Sequence, residues 1–184
     1  MKKILLIAAV SLIAFSASAQ KFAHVNFQEL VQLMPESDKA RATIQESSKA
    51  AQESYEEMLS EFNDKYTKYQ QNVNSYTAAT RKAKEDELTQ IQQRIQEFSQ
   101  NVQTELSQQQ DQLMAPIYQK AQETVAEIAK KGGYIYVVDR STILYIDDTQ
   151  SVDITPEARK ALGIPEGRTL EALQAELQAQ QQQQ

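Results

Sequence analysis

The chain of 184 residues contains no cysteine and only one histidine, so two common kinds of functional site are excluded. Without cysteine there is no disulfide, thiolate metal ligand, cysteine nucleophile or lipidated anchor. A single histidine, His24, cannot form a multi-histidine metal centre and leaves little for ordinary acid–base catalysis. The sequence therefore points away from an enzyme, and no cofactor is expected.

Glycine and proline are also scarce, with four residues of each. So few glycines cannot supply phosphate-binding loops in any number, and long stretches are left without a helix breaker. The chain is polar, but 41% of its residues are hydrophobic, which does not indicate disorder. We therefore expect a folded protein that is rich in helix.

Residues 1–19 have the pattern of an export signal. Lysines stand at positions 2 and 3, an almost continuous apolar run covers 4–15, and Ala17-Ser-Ala19 is a small-residue cleavage motif. The alternative is a membrane anchor, but the apolar run is shorter than the roughly 20 residues of a spanning helix. We expect export and cleavage after Ala19. The remaining chain would carry 17 basic and 25 acidic residues.

Strand patterns lie at both ends of this remaining chain. Residues 22–27 alternate apolar and polar side chains and predict a short strand, with a helix over 29–33. Aromatic and β-branched residues predict two further strands, over 134–139 and 142–146. Three short strands are a poor core for one chain, so several copies are expected to share one core.

The segment 37–131 contains no glycine and only one proline, which predicts almost continuous helix. Asn, Ser and Thr gather near the middle of this segment, so a turn is expected at about 75–80. Apolar residues recur at seven-residue spacing on both sides of the turn, which is typical of an antiparallel coiled-coil hairpin. Pro116 predicts a kink, or hinge, in the second helix.

These patterns predict an α+β protein that is mainly α, built from a small body and one helical arm. The predicted segments are an export signal at 1–19, a strand and short helix of the body at 20–36, the arm at 37–131, strands and a short helix of the body at 132–163, and a flexible Gln-rich tail at 164–184. Within this tail, Leu170, Leu173 and Leu177 have the spacing of one or two amphipathic turns.

The clearest similarity to a known family lies in the segments 113–120, 125–134, 136–139, 143–145 and 153–155. Together with the strand pattern at 23–27, these segments resemble the Skp (OmpH) family of periplasmic chaperones. The resemblance implies a homotrimer with a small shared β-barrel body. Its three helical hairpins would enclose a cavity that holds unfolded outer-membrane proteins without ATP.

This resemblance makes a periplasmic holdase the leading hypothesis. The alternatives are an exported coiled-coil adaptor or structural protein and, less favoured, an enzyme; nucleic acid is not an expected partner. Well-studied members of the family are strongly basic, whereas this chain has a pI of about 4.9. Binding to lipopolysaccharide or an anionic membrane surface is therefore left open.

Two sets of apolar residues are candidates for contacts with other chains. The expected trimer core comprises Phe22, Val25, Phe27, Leu30, Val137, Leu144 and Ile146. The expected client contacts on the arm are Met58, Tyr66, Tyr69, Val73 and Tyr76. A tyrosine ring with a polar end suits loose binding. Tyr69 has the alternative of packing against the return helix, whereas Tyr66 lies off the heptad seam.

Basic residues flank the predicted turn, and no acidic residue lies between positions 65 and 84. The cluster comprises Lys65, Lys68, Arg81, Lys82 and Lys84. We expect positively charged arm tips that steer clients or touch an anionic surface. The alternative is an ordinary solvated helix end.

Metal binding is not expected. His24 suits a structural role, because there is no second histidine or cysteine to share a metal. Four acidic residues near the predicted strands, Asp139, Asp147, Asp148 and Asp153, lack the spacing of a calcium loop. They suit turns instead.

Overall fold

The computed structural model describes residues 20–182, so the expected export signal and its cleavage site lie outside the described residues. The helices and strands are β1 (Lys21–Val25), α1 (Phe27–Leu33), α2 (Pro35–Asn72), α3 (Ala78–Gly132), β2 (Tyr134–Asp139), β3 (Ser151–Asp153), α4 (Thr155–Ala161) and α5 (Leu170–Gln181). This is the mainly α, α+β fold that the sequence predicts.

The chain divides into two compact units. The body unit comprises the described parts of Met1–Leu33 and Lys120–Gln184. The arm unit comprises Met34–Gln119.

The body unit is organised around a parallel three-stranded sheet with the order β2–β1–β3. Ala23 in the central strand lies opposite Val137 on one side and Val152 on the other. Residues 23–25 of this central strand are buried, although successive side chains point to opposite faces of the sheet. Among the described strands, β2 and β3 each have one neighbour, so each leaves its outer edge unpaired within this chain.

Helix α1 follows the central strand directly and supplies much of the body core. Asn26 starts the helix, because its Oδ1 accepts a hydrogen bond from the Glu29 backbone N–H at 3.2 Å. In return, Asn26 Nδ2 donates to Glu29 Oε2 at 3.0 Å. The buried apolar residues of the body include Leu30, Val31, Leu33, Ile154, Ala158, Leu162, Ile164 and Leu173.

The arm unit contains the antiparallel helical hairpin, which confirms the prediction. Three contacts show that the helices are antiparallel, because residue numbers rise along α2 while those of the partners fall along α3. Glu61 pairs with Arg94, Lys65 with Glu87, and Tyr69 with Glu85. A short 3₁₀ turn, Val73–Ser75, joins the helices. Thr77 Oγ1 accepts from the Thr80 backbone N–H at 3.1 Å, which lets α3 begin at Ala78.

Pro116 lies inside α3, and the helix continues from Ala78 to Gly132. Proline has no backbone N–H, so one intrahelical hydrogen bond is missing at this point. The missing bond favours bending at Pro116, and the hinge stays a prediction.

No helix within residues 20–182 combines the length and the apolar character that spanning a membrane requires.

The strand at 134–139 is confirmed, but the expected strand at 142–146 is wrong. A 3₁₀ turn, Arg140–Thr142, follows β2 directly. Asp139 fixes this turn, since its Oδ1 accepts from the Ser141 N–H at 3.0 Å and its carbonyl accepts from Thr142 Oγ1 at 2.9 Å. The free edge of β1 is occupied by β3 instead.

The expectation of a flexible tail at 164–184 is also wrong for most of its length. Residues 170–181 form α5, and Thr169 Oγ1 caps it by accepting from the Ala172 N–H at 3.2 Å. Ile164 and Leu173 are each only 5% exposed. The leucine spacing that indicated one or two amphipathic turns therefore belongs to a longer helix, in which Leu173 is buried.

The buried position of Leu30 gives a test of this core. Leu30→Ala should lower the free energy of unfolding by about 2–5 kcal/mol, because it leaves a cavity in a fully buried site. Urea unfolding at fixed protein concentration measures the change. Gln28→Ala, at an exposed position of the same helix, should stay within about 0.5 kcal/mol of wild type. Equal effects of the two changes would contradict this account of the core.

Candidate functional site

His24 is buried in the central strand of the body, with 1% of its surface exposed. Its Nδ1 lies 3.0 Å from Ser151 Oγ, and its Nε2 lies 3.4 Å from a guanidinium nitrogen of Arg140. Since the guanidinium can only donate, Nε2 accepts and Nδ1 carries the proton to Ser151. His24 therefore links β1 to β3 and to the turn after β2.

A polar cavity of about 350 Å³ opens beside this histidine. Its lining comprises His24, Arg140, Asp148, Ser151, Val152 and Asp153. Asp148 and Asp153 lie 3.8 and 4.0 Å from His24 Nε2, beyond hydrogen-bonding distance. Within residues 20–182, no group of three or more acidic or histidine side chains is arranged to hold a metal ion.

Exposed apolar side chains gather on β1, β2, β3 and the segment between β2 and β3. We call them the apolar body surface: Phe22, Ile135, Tyr136, Ile143, Leu144, Tyr145 and Val152. Leu144 is fully exposed, and the Phe22 and Tyr136 rings stack at 6.4 Å between centroids. Large exposed apolar side chains concentrated on a few short elements favour interaction with another macromolecule.

The residues expected to form a trimer core do not share one environment. Val25 and Leu30 are buried within this chain. Phe27, Val137 and Ile146 are half-buried, and Phe22 and Leu144 are exposed. The sequence reasoning missed Ile135, Tyr136, Ile143, Tyr145 and Val152. A usable signal was that residues 134–138 are apolar without alternation, which is typical of a strand covered on both faces.

Four aromatic residues of the arm unit, on the side of the hairpin turn, form two pairs. Phe62 stacks on Tyr66 with 5.9 Å between centroids, and Tyr69 packs against Tyr76 at 6.2 Å. Tyr66 is 42% exposed, whereas Met58, Tyr69, Val73 and Tyr76 are half-buried. This agrees with the expectation that Tyr66 lies off the seam between the helices.

Hydrogen bonds hold the polar ends of these tyrosines. Tyr69 Oη donates to Glu85 on the return helix at 2.6 Å, and this bond raises the pKa of Tyr69. Tyr66 Oη accepts from Gln70 one turn later on the same helix, at 2.7 Å. Tyr69 therefore ties the two helices together, and Tyr66 is the more exposed of these two rings.

The basic cluster is not the unopposed positive field that the sequence suggested. Lys65 pairs with Glu61 and Glu87, Lys82 with Asp86, and Lys84 with Glu87. Arg81 donates to the carbonyl of Val73 at 3.1 Å. The acid-free window ends at Lys84, and three acidic residues follow at once. Residues 61–87 contain five basic and five acidic side chains, so this segment has no net charge.

Glu87 is the centre of the ion pairs that cross the hairpin. It accepts from Lys65 on α2 and from Lys84 on its own helix, and these two bonds lower its pKa to about 2. The same contact with Glu87 raises the pKa of Lys65. Arg94 extends the network by donating to Glu61 at 3.2 Å. The charged residues near the turn therefore pair across the hairpin in a single register.

Comparison with known proteins gives consistent matches. The family model described as outer membrane protein (OmpH-like) matches residues 21–162. The chaperone protein Skp of Yersinia enterocolitica is 28% identical over 163 residues, which cover 87% of this chain and 98% of that protein. Superposition on the crystal structure of a Caulobacter crescentus protein assigned as an OmpH-like outer membrane chaperone gives a TM-score of 0.70 at 11% sequence identity. The match covers 80% of this chain and 86% of the Caulobacter chain, and it shows a shared fold.

The lowered pKa of Glu87 predicts how the hairpin responds to acid. Because folding favours the carboxylate, its stabilising contribution is complete above about pH 4.5 and is lost as the pH falls toward 2. Wild type should therefore melt at a higher temperature than Glu87→Gln at neutral pH, and the difference should disappear near pH 2. Circular dichroism melts across this range measure it.

The control is Glu97→Gln, which removes an exposed carboxyl from the same helix. A difference between wild type and Glu87→Gln that is equally large in acid and at neutral pH would contradict the role given to this ion pair.

Proposed function

The chain belongs to the OmpH-like family, and on that premise we propose that it is an ATP-independent periplasmic holdase for unfolded outer-membrane proteins. The observation that carries the proposal is the helical hairpin with paired aromatic residues, presented on a long, polar arm. Such a surface offers weak contacts to many sequences. The family is one of chaperones and not of enzymes, and the proposal requires no cofactor. The pattern of residues 1–19 supports export to the periplasm.

Assembly with copies of itself explains the apolar body surface in this proposal. Each protomer has an unpaired edge on β2 and another on β3, and exposed apolar residues lie on both strands and between them. Two different edges favour a head-to-tail interface, which closes into a ring when the rotation fits. Three copies would complete a shared barrel and remove the open edges. This supports a homotrimer with Leu144 and Tyr145 in its interface.

Client binding is assigned to the arms. Met58, Tyr66, Tyr69, Val73 and Tyr76 would contact unfolded chains in the space between three hairpins. Many weak apolar contacts keep the unpaired strands of one client from meeting those of another. Pro116 would allow each arm to bend to the size of its client.

Long-range charge is not the basis of this binding. Three of the five basic residues near the turn are paired with carboxylates, so the tips do not carry the field that steering requires. Binding to lipopolysaccharide or an anionic membrane surface is accordingly not part of the proposal. Capture of clients should depend only weakly on salt.

A client-holding assay tests the function directly. An unfolded outer-membrane β-barrel protein, diluted from urea, should stay soluble at about one trimer per client. Tyr66→Ser should weaken binding about tenfold, since partial burial of a ring contributes on the order of 1.4 kcal/mol. Light scattering and a binding titration measure the two effects.

The matched control is Asn63→Ser, at an exposed polar position of the same helix, which should hold the client as wild type does. An adaptor protein would not suppress aggregation and would instead bind one folded partner tightly. Aggregation that proceeds unchanged in the presence of the wild-type protein would overturn the proposal.

The assembly is tested separately. Leu144→Asp places a charge at a fully exposed apolar position, so each protomer should keep its helix content while the trimer dissociates. Native mass spectrometry should then show one chain instead of three, and client holding should fail. Tyr66→Ser should remain trimeric and serves as the control. Intact trimers of Leu144→Asp would remove this surface from the interface.

A further inference from the structure

The C-terminal segment 163–182 lies beyond the stretch that matches the OmpH-like family model. It is nevertheless folded onto the body. Gly163 and Gly167 adopt φ angles of +70° and +79°, which redirect the chain twice after α4. Between them, the Ile164 N–H donates to the Arg159 carbonyl at 2.9 Å, and the Ile164 side chain is buried.

Arg159 of α4 connects this segment to the N-terminal part of the body. One guanidinium nitrogen, Nη1, donates to the Glu29 carboxylate on α1. The other, Nη2, donates to the backbone carbonyls of Arg168 and Pro165, in the loop that leads to α5. The Arg159 side chain is only 19% exposed, and a planar guanidinium suits such a multiple contact.

Helix α5 has the spacing of an amphipathic helix that docks by one face. Leu170, Leu173 and Leu177 lie three and four residues apart and form a stripe. Leu173 is 5% exposed, and the leucines on either side of it are half-buried. The helix packs against α1, and its other residues are mostly exposed Ala, Gln and Glu.

We propose that α1 provides a docking surface for an amphipathic helix, and that the chain's own α5 occupies it as a clasp. The clasp would hold the β1–α1 segment against the C-terminal part of the body, with Leu173 as the apolar anchor and Arg159 as the polar one. Since α1 starts directly after the central strand, opening the clasp would loosen β1 as well. This inference does not depend on the client-holding proposal.

Hydrogen exchange on the full-length protein tests the clasp. In Leu173→Ser and in Arg159→Gln, the backbone amides of α1 should exchange at least about tenfold faster than in wild type, because a buried anchor is lost. The amides of α2 and α3 near the hairpin turn should exchange as in wild type. Gln178→Ser, at an exposed position of α5, is the matched control and should leave α1 protected.

Two results would overturn the proposal. One is unchanged exchange of α1 in both anchor variants. The other is α1 protection in wild type that falls on dilution, which would assign the docked helix to a second copy of the chain. Protection that is independent of protein concentration and is lost in both variants supports the clasp.

Discussion

The central strand β1 is the constraint on which the fold depends. It pairs with β2 along one edge and with β3 along the other, and His24 reaches Ser151 across 127 residues of sequence. Because both neighbours come from the C-terminal part of the chain, the long helical stretch between them must return to where it started. An antiparallel hairpin is the simplest helical path that does so. The arm is therefore required by the sheet as well as by its own heptad pattern.

The hairpin could be predicted because its signal repeats over many turns, and because only Pro116 interrupts 37–131. Short segments gave weaker signals. The apolar run at 142–146 suited a strand, but the chain turns at Asp139, just before this run. The Asp139 side chain accepts a hydrogen bond from the Ser141 backbone N–H, and such a local bond outweighs β propensity here. The leucine spacing of α5 indicated only one or two amphipathic turns, because the tertiary contacts that stabilise the whole helix do not show in a local pattern.

The candidate sites were predicted unevenly for a similar physical reason. The spacing of residues along one helix predicts which of them share a face. It therefore distinguished Tyr66, which is exposed, from the half-buried Tyr69 and Tyr76. Charge pairing across the hairpin was not, because Glu87 meets Lys65 from the opposite helix. A charge cluster has meaning only together with its neighbours in space. The apolar body surface shows the same limit, since an apolar strand pattern does not tell which of its side chains stay exposed within one chain.

The position of β1 also determines the order in which the protein can fold. The hairpin depends on contacts that are close in sequence near its turn, such as Tyr69 with Glu85, and local contacts form early. The sheet requires strands from both ends of the chain, so it cannot be complete before β3 is available. Bringing these distant strands together also costs the entropy of closing a long loop. In a protein exported from its N-terminus, β1 would emerge first, but the arm would be the first part to fold. Its own first strand would stay unpaired until last, in the same condition as the unfolded clients it is proposed to hold.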